Sequence, residues 1–191
     1  MNIDTFIYEN ITDNTNNMEL STFYPCSIQY ENKEYSTAEH LFQSLRYLSS
    51  SQKVDKEYAE VIRQVRTPYA ARLLGDQYVI HANMNWVNEI AQIMKSFQMK
   101  GLRSVSYNLE TYELMKFSVR QKLIQYPKIT DILSKFQGKI VYHSRYNSYW
   151  GFKEECVYNL GSPNAWYEWT GLNQYGKILT ELREEISELT T

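Results

Sequence analysis

Glu39, Gln43 and Arg46 stand at i, i+4 and i+7, so on a helix they form one line. The line carries a carboxylate, an amide that both donates and accepts, and a guanidinium. Such a row can wall a groove that grips a polar ligand, with the guanidinium as a forked donor to phosphate or carboxylate. It can also be a solvated helix face, and spacing alone favours that reading, because surface ion pairs are common and weak. A second group follows a strand-like segment and reads His143-Ser144-Arg145-Tyr146-Asn147-Ser148-Tyr149-Trp150-Gly151. Its rings could stack on a nucleobase or sugar. Composition alone favours the plainer role of a buried Trp150 anchoring a loop. A third group is Gly171-Leu172-Asn173-Gln174-Tyr175-Gly176. Backbone N–H groups at a helix start suit an anion. The plainer reading is an Asn173 cap and a Gly176 that lets elements approach closely.

Other chemistries find no support. His40, His81 and His143 lack metal-ligand spacing, so no metal site is expected. Cys26 and Cys156 form no CxxC and read as two reduced thiols, with a disulfide as the weaker option. None of the familiar phosphate loops, catalytic triads or cofactor motifs is present, and no cofactor is expected.

The elements that must position these residues are mostly helices. Residues 1–20 read as polar, with a turn cluster at Asp13-Asn14-Thr15-Asn16-Asn17. Residues 21–35 read as short extended segments around a hairpin-like turn near Asn32-Lys33. Ser36-Thr37 cap a helix whose apolar face is Ala38, Leu41, Phe42, Leu45 and Leu48. Further helices are expected over 54–65, over 68–74 with a left-handed stop at Gly75, over 85–100 with a stop at Gly101, and over 104–123. Pro127 opens a short helix, residues 140–142 are the best strand candidate of the second half, and Asn173 caps a final helix. Many helices with few short strands and no βα alternation give an α+β, mainly helical, single domain.

The chain has 191 residues, 20 Lys and Arg against 22 Asp and Glu, and a net charge of −2. That balance argues against broad nucleic-acid binding, which needs a basic face, and leaves room for a small basic pocket. No basic n-region or apolar run opens the chain and no stretch is long enough to span a membrane, so the reading is a cytoplasmic protein without membrane partners. A homo-oligomer stays open. The unusual number is 17 Tyr, which with Phe and Trp makes 15% aromatic. Tyr58, Tyr112 and Tyr175 fall on helical core stripes, whereas Tyr142, Tyr146 and Tyr149 cluster beside Trp150, where they could line a ligand groove or form a wet-edged core.

Taken in order, the motifs resemble the NADAR family, also described as YbiA-like. Leu20-Ser21-Thr22-Phe23-Tyr24-Pro25 is similar to its Leu-Ser-Asn-Phe-Tyr-Pro opening. Ala38-Glu39-His40-Leu41-Phe42-Gln43 matches its Glu-His helix. Met115 with Lys122-Leu123-Ile124-Gln125-Tyr126-Pro127, the pair Trp150-Gly151, and Gly171, Asn173, Gly176, Leu179 and Arg183 follow in the family's order. The resemblance runs over residues 20–183 and implies a NADAR-like domain over 20–191, with 1–19 as an N-terminal extension of the same domain. It also implies N-glycosidase chemistry: cleavage of a C–N bond at ribose C1, on riboflavin-pathway intermediates or ADP-ribosylated guanine. Such cleavage passes through an oxocarbenium-like state, and a lysine amine is the proposed family nucleophile.

This chain departs from that pattern where reactivity resides. The family's Lys, seven residues after the Glu, is Arg46, which stays protonated. Its acidic pair before Trp-Gly aligns with Tyr142 and Asn147, and the Asn of its first segment is Thr22. The expectation is therefore a pocket that holds an ADP-ribose-type or ribose-phosphate nucleotide without turning it over, made by Glu39, Gln43, Arg46, Tyr142, Asn147, Tyr149, Trp150, Gly151, Asn173 and Gly176. In it Glu39 accepts from ribose hydroxyls, Arg46 clamps phosphate, Tyr149 or Trp150 stacks on the base, and N–H groups after Asn173 face a phosphate. By analogy, such a protein could sequester a nucleotide signal, as some phage proteins do against host defence. The alternatives are an active N-glycosidase with Glu39 as the catalytic group, and a protein-interaction domain using Trp166-Tyr167-Glu168-Trp169 as an interface.

Overall fold

The computed structural model describes residues 3–8, 17–78, 85–144, 147–151, 153–157 and 166–190. The surroundings of side chains 3–8, 153–157, 166–170 and 189–190 are not described. Residues 13–16 of the turn cluster expected at 13–17, Arg145 and Tyr146 lie outside the described residues, as do the surroundings of Cys156 and of the Trp166–Trp169 side chains. The fold is α+β and mainly helical, and the chain divides into two compact units. No described helix is long and apolar enough to cross a membrane.

The unit of residues 22–125 is built around one helix. Strands β2 (Ile28–Tyr30) and β3 (Lys33–Tyr35) form an antiparallel hairpin. Its two turn residues are Glu31 and Asn32, at φ 49° and 59°, the left-handed pair that a tight hairpin needs. The turn is thus one residue earlier than the sequence suggests. Gln125 extends the hairpin's pairing: its side-chain amide accepts from Gln29 N–H at 2.8 Å and donates to Gln29 C=O at 3.0 Å.

Helix α1 (Ala38–Leu48) starts where Thr37 Oγ1 accepts from His40 N–H. The His40 ring Nε2–H donates to Val65 C=O at 3.0 Å, so Nδ1 takes the Thr37 hydroxyl proton at 2.8 Å. Burial lowers its pKa and keeps it neutral. Helices α2 (Lys53–Gln64), α3 (Pro68–Gly75) and α5 (Leu109–Gln125) pack on α1, and α4 (Asn85–Gln98) packs on α3. Tyr47, Tyr58, Ile62, Leu73, Leu74, Ile90 and Met94 fill the space between α1, α2, α3 and α4. Tyr58 and Tyr47 carry their hydroxyls into that core by donating to the C=O groups of Leu74 and Gly75.

Three expectations are corrected here. Helix α5 begins at Leu109 and not at Ser104, because Asn108 Oδ1 accepts from Thr111 N–H and sets the cap there. Gly75 is a helical residue of α3, and the left-handed position is Gln77 at φ 51°. The line of Glu39, Gln43 and Arg46 is no solvated face: every residue from Ala38 to Tyr47 is buried.

The unit of residues 1–21 and 126–191 holds the remaining elements. Strand β1 (Ile3–Tyr8) pairs in parallel with β4 (Lys139–His143), and β5 (Lys153–Val157) pairs antiparallel with β6 (Trp166–Thr170). β1 falls in a stretch read as merely polar, since its partner lies far along the chain and local pattern cannot reveal it. Helices α6 (Pro127–Ser134) and α7 (Gln174–Thr190) pack together, and α7 lies on β4. Its inward face is Tyr175, Ile178, Leu179 and Leu182. Gly176 permits that approach, because a Cβ there would stand 2.4 Å from Ile140 O. Gly176→Ala is therefore expected to destabilise by about 1–3 kcal/mol or more through overpacking against rigid backbone, measured as a lower urea midpoint. An unchanged midpoint would mean α7 does not sit this close to β4.

Candidate functional site

The buried polar row of α1 continues at both ends into a connected network. Thr22 Oγ1–H donates to Glu39 Oε2 at 2.8 Å, and Gln43 Nε2–H donates to Glu39 Oε1 at 2.8 Å. Gln43 Oε1 accepts from Arg46 Nη1 at 2.7 Å. The same Nη1 donates to Asp76 Oδ1 at 2.6 Å, and Arg72 Nε lies 3.7 Å from Asp76 Oδ2. Glu39 is 3% exposed and Arg46 likewise 3%, so these are charges held by hydrogen bonds in place of water. Aromatic rings finish the enclosure of Arg46, with its guanidinium 5.2 Å from the Tyr107 ring centre and 5.6 Å from that of Phe42.

Each contact has a local cause. Pro25 and the bonds from Glu39 N–H to Thr22 C=O and from Cys26 N–H to Ser36 C=O hold the 22–26 segment against the start of α1. Gly75 makes room for the relay, since a Cβ there would lie 2.0 Å from Gln43 Oε1 and 2.8 Å from Gln43 Cβ. Asp76 follows at the end of α3, where Arg72 one turn earlier faces it.

Burial pushes the Glu39 carboxyl up to about 7, against the opposing pull of Arg72 and of the Gln43 and Thr22 hydrogen bonds. A carboxyl in that range can hold or release a proton near neutrality, which suits a general acid or a stabiliser of a developing cation. Burial also raises the Tyr107 hydroxyl, with Asp76 adding to it, so that ring stays neutral. Elsewhere in this unit Lys122 on α5 is 1% exposed, and its ammonium lies 5.3 Å from the Tyr24 ring centre. Burial raises the Cys26 thiol and the Lys122 charge opposes that; Cys26 is a buried free thiol.

The other expected site residues belong to the second unit, and most of their polar groups serve the fold. Asn173 is 3% exposed and at φ 50°. Its Oδ1 accepts from Tyr142 N–H at 2.9 Å and its Nδ2–H donates to Ile140 C=O at 3.0 Å, bracing β4. The N–H groups of Leu172, Gln174 and Tyr175 donate to the C=O groups of Ser148, Tyr149 and Trp150. The start of α7 is thus not the open anion site that its glycines suggest, because its leading N–H groups, those of Gln174 and Tyr175, are taken. Tyr142 is buried with its ring 4.5 Å from that of Tyr175, so it joins the core and not a ligand-facing cluster. Asn147 Oδ1 accepts from the N–H groups of Tyr149 and Trp150. Trp150 is 5% exposed and meets the half-buried Tyr149 edge-on at 4.8 Å. Gly151 and Gly171 allow the loop to close, since a Cβ on Gly171 would come within 2.1 Å of Gly151 O.

Sequence reasoning missed Arg72, Asp76 and Tyr107 as members of the buried network. The i,i+4 pair of Arg72 and Asp76 at a helix end was the one available signal; Tyr107 lies in a stretch without regular spacing.

A family description named NADAR domain matches residues 8–187. An N-glycosidase YbiA of Escherichia coli is 25% identical over 170 residues, covering 88% of this chain and 81% of the relative. An N-glycosidase of Nostoc punctiforme is also 25% identical over 170 residues, covering 88% and 85%. The NMR structure of the Escherichia coli protein YbiA aligns with a TM-score of 0.61 and 22% identity, over 100% of this chain and 89% of that one.

The Glu39 environment has a measurable consequence. Its pKa rises from an ordinary 4.5 to about 7 on folding, so folding favours the protonated form. The associated stability is fully present below the unfolded value and is lost as pH rises through the folded one, on the order of 3 kcal/mol. In urea denaturation, the stability of wild type relative to Glu39→Gln is expected to fall by that order between pH 4.5 and pH 8. A pH-independent difference would mean that Glu39 is not buried as described.

Proposed function

The chain belongs to the NADAR family, and on that footing we propose that it binds an ADP-ribose-type or ribose-phosphate nucleotide without cleaving it. Arg46 carries this reading. It occupies the position where the family resemblance places a nucleophilic lysine, and a guanidinium remains protonated. Its Nη1 is held by Gln43 and Asp76, so it is arranged as a fixed cation and not as an attacking amine. Cations fixed in a polar, enclosed setting recognise phosphate. Glu39, at the other end of the row, suits ribose hydroxyls as an acceptor when ionised and as a donor when protonated.

One observation favours a second reading, an active N-glycosidase like the relatives' named activity. Glu39 is buried, and burial pushes its carboxyl up to about 7, the range in which a carboxyl assists departure of a base or stabilises an oxocarbenium-like cation. The same unit also buries an amine, Lys122.

Calorimetry with ADP-ribose and NAD tests the binding reading, and heat of binding with ADP-ribose is expected. Incubation with ADP-ribosylated guanosine and with a ribosylaminopyrimidine phosphate, followed by mass spectrometry, is expected to release no base. Base release that disappears in Glu39→Gln would establish the second reading instead, and borohydride trapping at Lys122 would identify its nucleophile.

A further inference from the structure

A small polar cleft of about 110 Å³ opens in the 22–125 unit beside the network. It is lined by Arg46, Arg103, Ser104, Ser106, Asn108 and Thr111, with Val105, Glu110 and Leu114 completing the wall. Its size decides what it can hold. Pockets that enclose a whole drug-sized ligand measure about 300–1,000 Å³, while one water occupies about 30 Å³. The cleft has room for a single oxyanion group and is too small to enclose a whole nucleotide.

The lining gives that group its charge. All side-chain hydrogen bonds of Arg46 leave from Nη1, towards Gln43 and Asp76. Its Nε–H is buried and has no hydrogen-bond partner among the described residues. The Nε of Arg103 is likewise buried and without a partner. Arg103 Nη2 donates to Arg46 C=O and its backbone N–H donates to Asp55 Oδ1 at 3.1 Å, which hold the two arginines together. A buried donor left unmade costs about 1–3 kcal/mol; beside these two donors on adjacent cations stands one buried acceptor also left unmade, Asp55 Oδ2, so unpaired donors outnumber unpaired acceptors and the balance favours an added acceptor. The cleft also lies at the first turn of α5, where Glu110 and Thr111 line it and the helix dipole favours negative charge. Glu110 is the one carboxylate in the wall and is exposed, so water screens its opposition to an anion more than it screens the buried guanidinium groups.

We propose that Arg46 and Arg103, with Ser104 and Ser106 at the rim, form an oxyanion subsite that takes one phosphate group. Its assignment to a phosphate of the bound nucleotide rests on the binding reading above. The subsite itself is equally suited to free phosphate, and the experiment separates the two. Arg103→Gln removes one guanidinium. Ser106→Asp adds a carboxylate at an exposed position whose C=O still accepts from the Thr111 hydroxyl, so it tests the same charge logic with the fold undisturbed.

Titration calorimetry compares ADP-ribose, adenosine and inorganic phosphate on wild type and both variants. Both variants are expected to weaken ADP-ribose by about tenfold or more, the scale of one charge-assisted hydrogen bond. Adenosine affinity should be unchanged, and inorganic phosphate should compete with ADP-ribose on wild type only. ADP-ribose binding equally to all three proteins overturns the subsite and leaves the nucleotide reading standing. Phosphate binding lost in both variants, with no nucleotide bound by wild type, supports a free-phosphate subsite and overturns the nucleotide reading. Wild type binding neither ligand overturns both.

Discussion

Gln43 is the residue on which the buried chemistry of this protein depends. A side-chain amide is the neutral group that donates at one atom and accepts at its neighbour. Gln43 uses both, donating a hydrogen bond to Glu39 and accepting one from Arg46. A carboxylate there would face Glu39 with like charge, and an apolar side chain would take one partner from each neighbour in a helix buried on every side. A polar group out of water is costly unless it is partnered, so the relay and the burial of α1 require each other. Gly75 is part of the same constraint. Its missing Cβ is the space the Gln43 amide occupies, which ties the end of α3 to the middle of α1.

The network has two ends of different character. At one end Glu39 is flanked by a hydroxyl and an amide, neither of them charged, and burial therefore dominates its ionisation. At the other end Arg46 has a carboxylate partner in Asp76 and aromatic rings beside it, so its charge is secured. One end can exchange a proton near neutrality and the other is a permanent cation.

In the other unit, the residues that most resemble a binding loop serve the fold. Asn173, Gly176 and the 147–151 turn bind β4 and the start of α7 to one another through backbone groups. A left-handed Asn whose side chain pairs with a strand edge reads in sequence as a helix cap. The two roles call for the same residue type, because both use its short amide against nearby backbone.

Local sequence determined the elements that carry their own signals. Thr37 as a cap, Pro127 at a first helical turn, the stop at Gly101 and the strand at Ile140-Val141-Tyr142 are all legible without a structure. So are the mainly helical α+β class, the family membership and the alignment of Glu39, Gln43 and Arg46, since helical spacing sets which residues share a line. Spacing cannot say what covers that line. Only the tertiary structure decided that α1 is buried all round, that Asp76 and Tyr107 meet Arg46, that Arg103 lies beside it, and that β1 pairs with β4. Those contacts join residues far apart in the chain, and whether a charge faces water or protein depends on that packing and not on its neighbours in sequence.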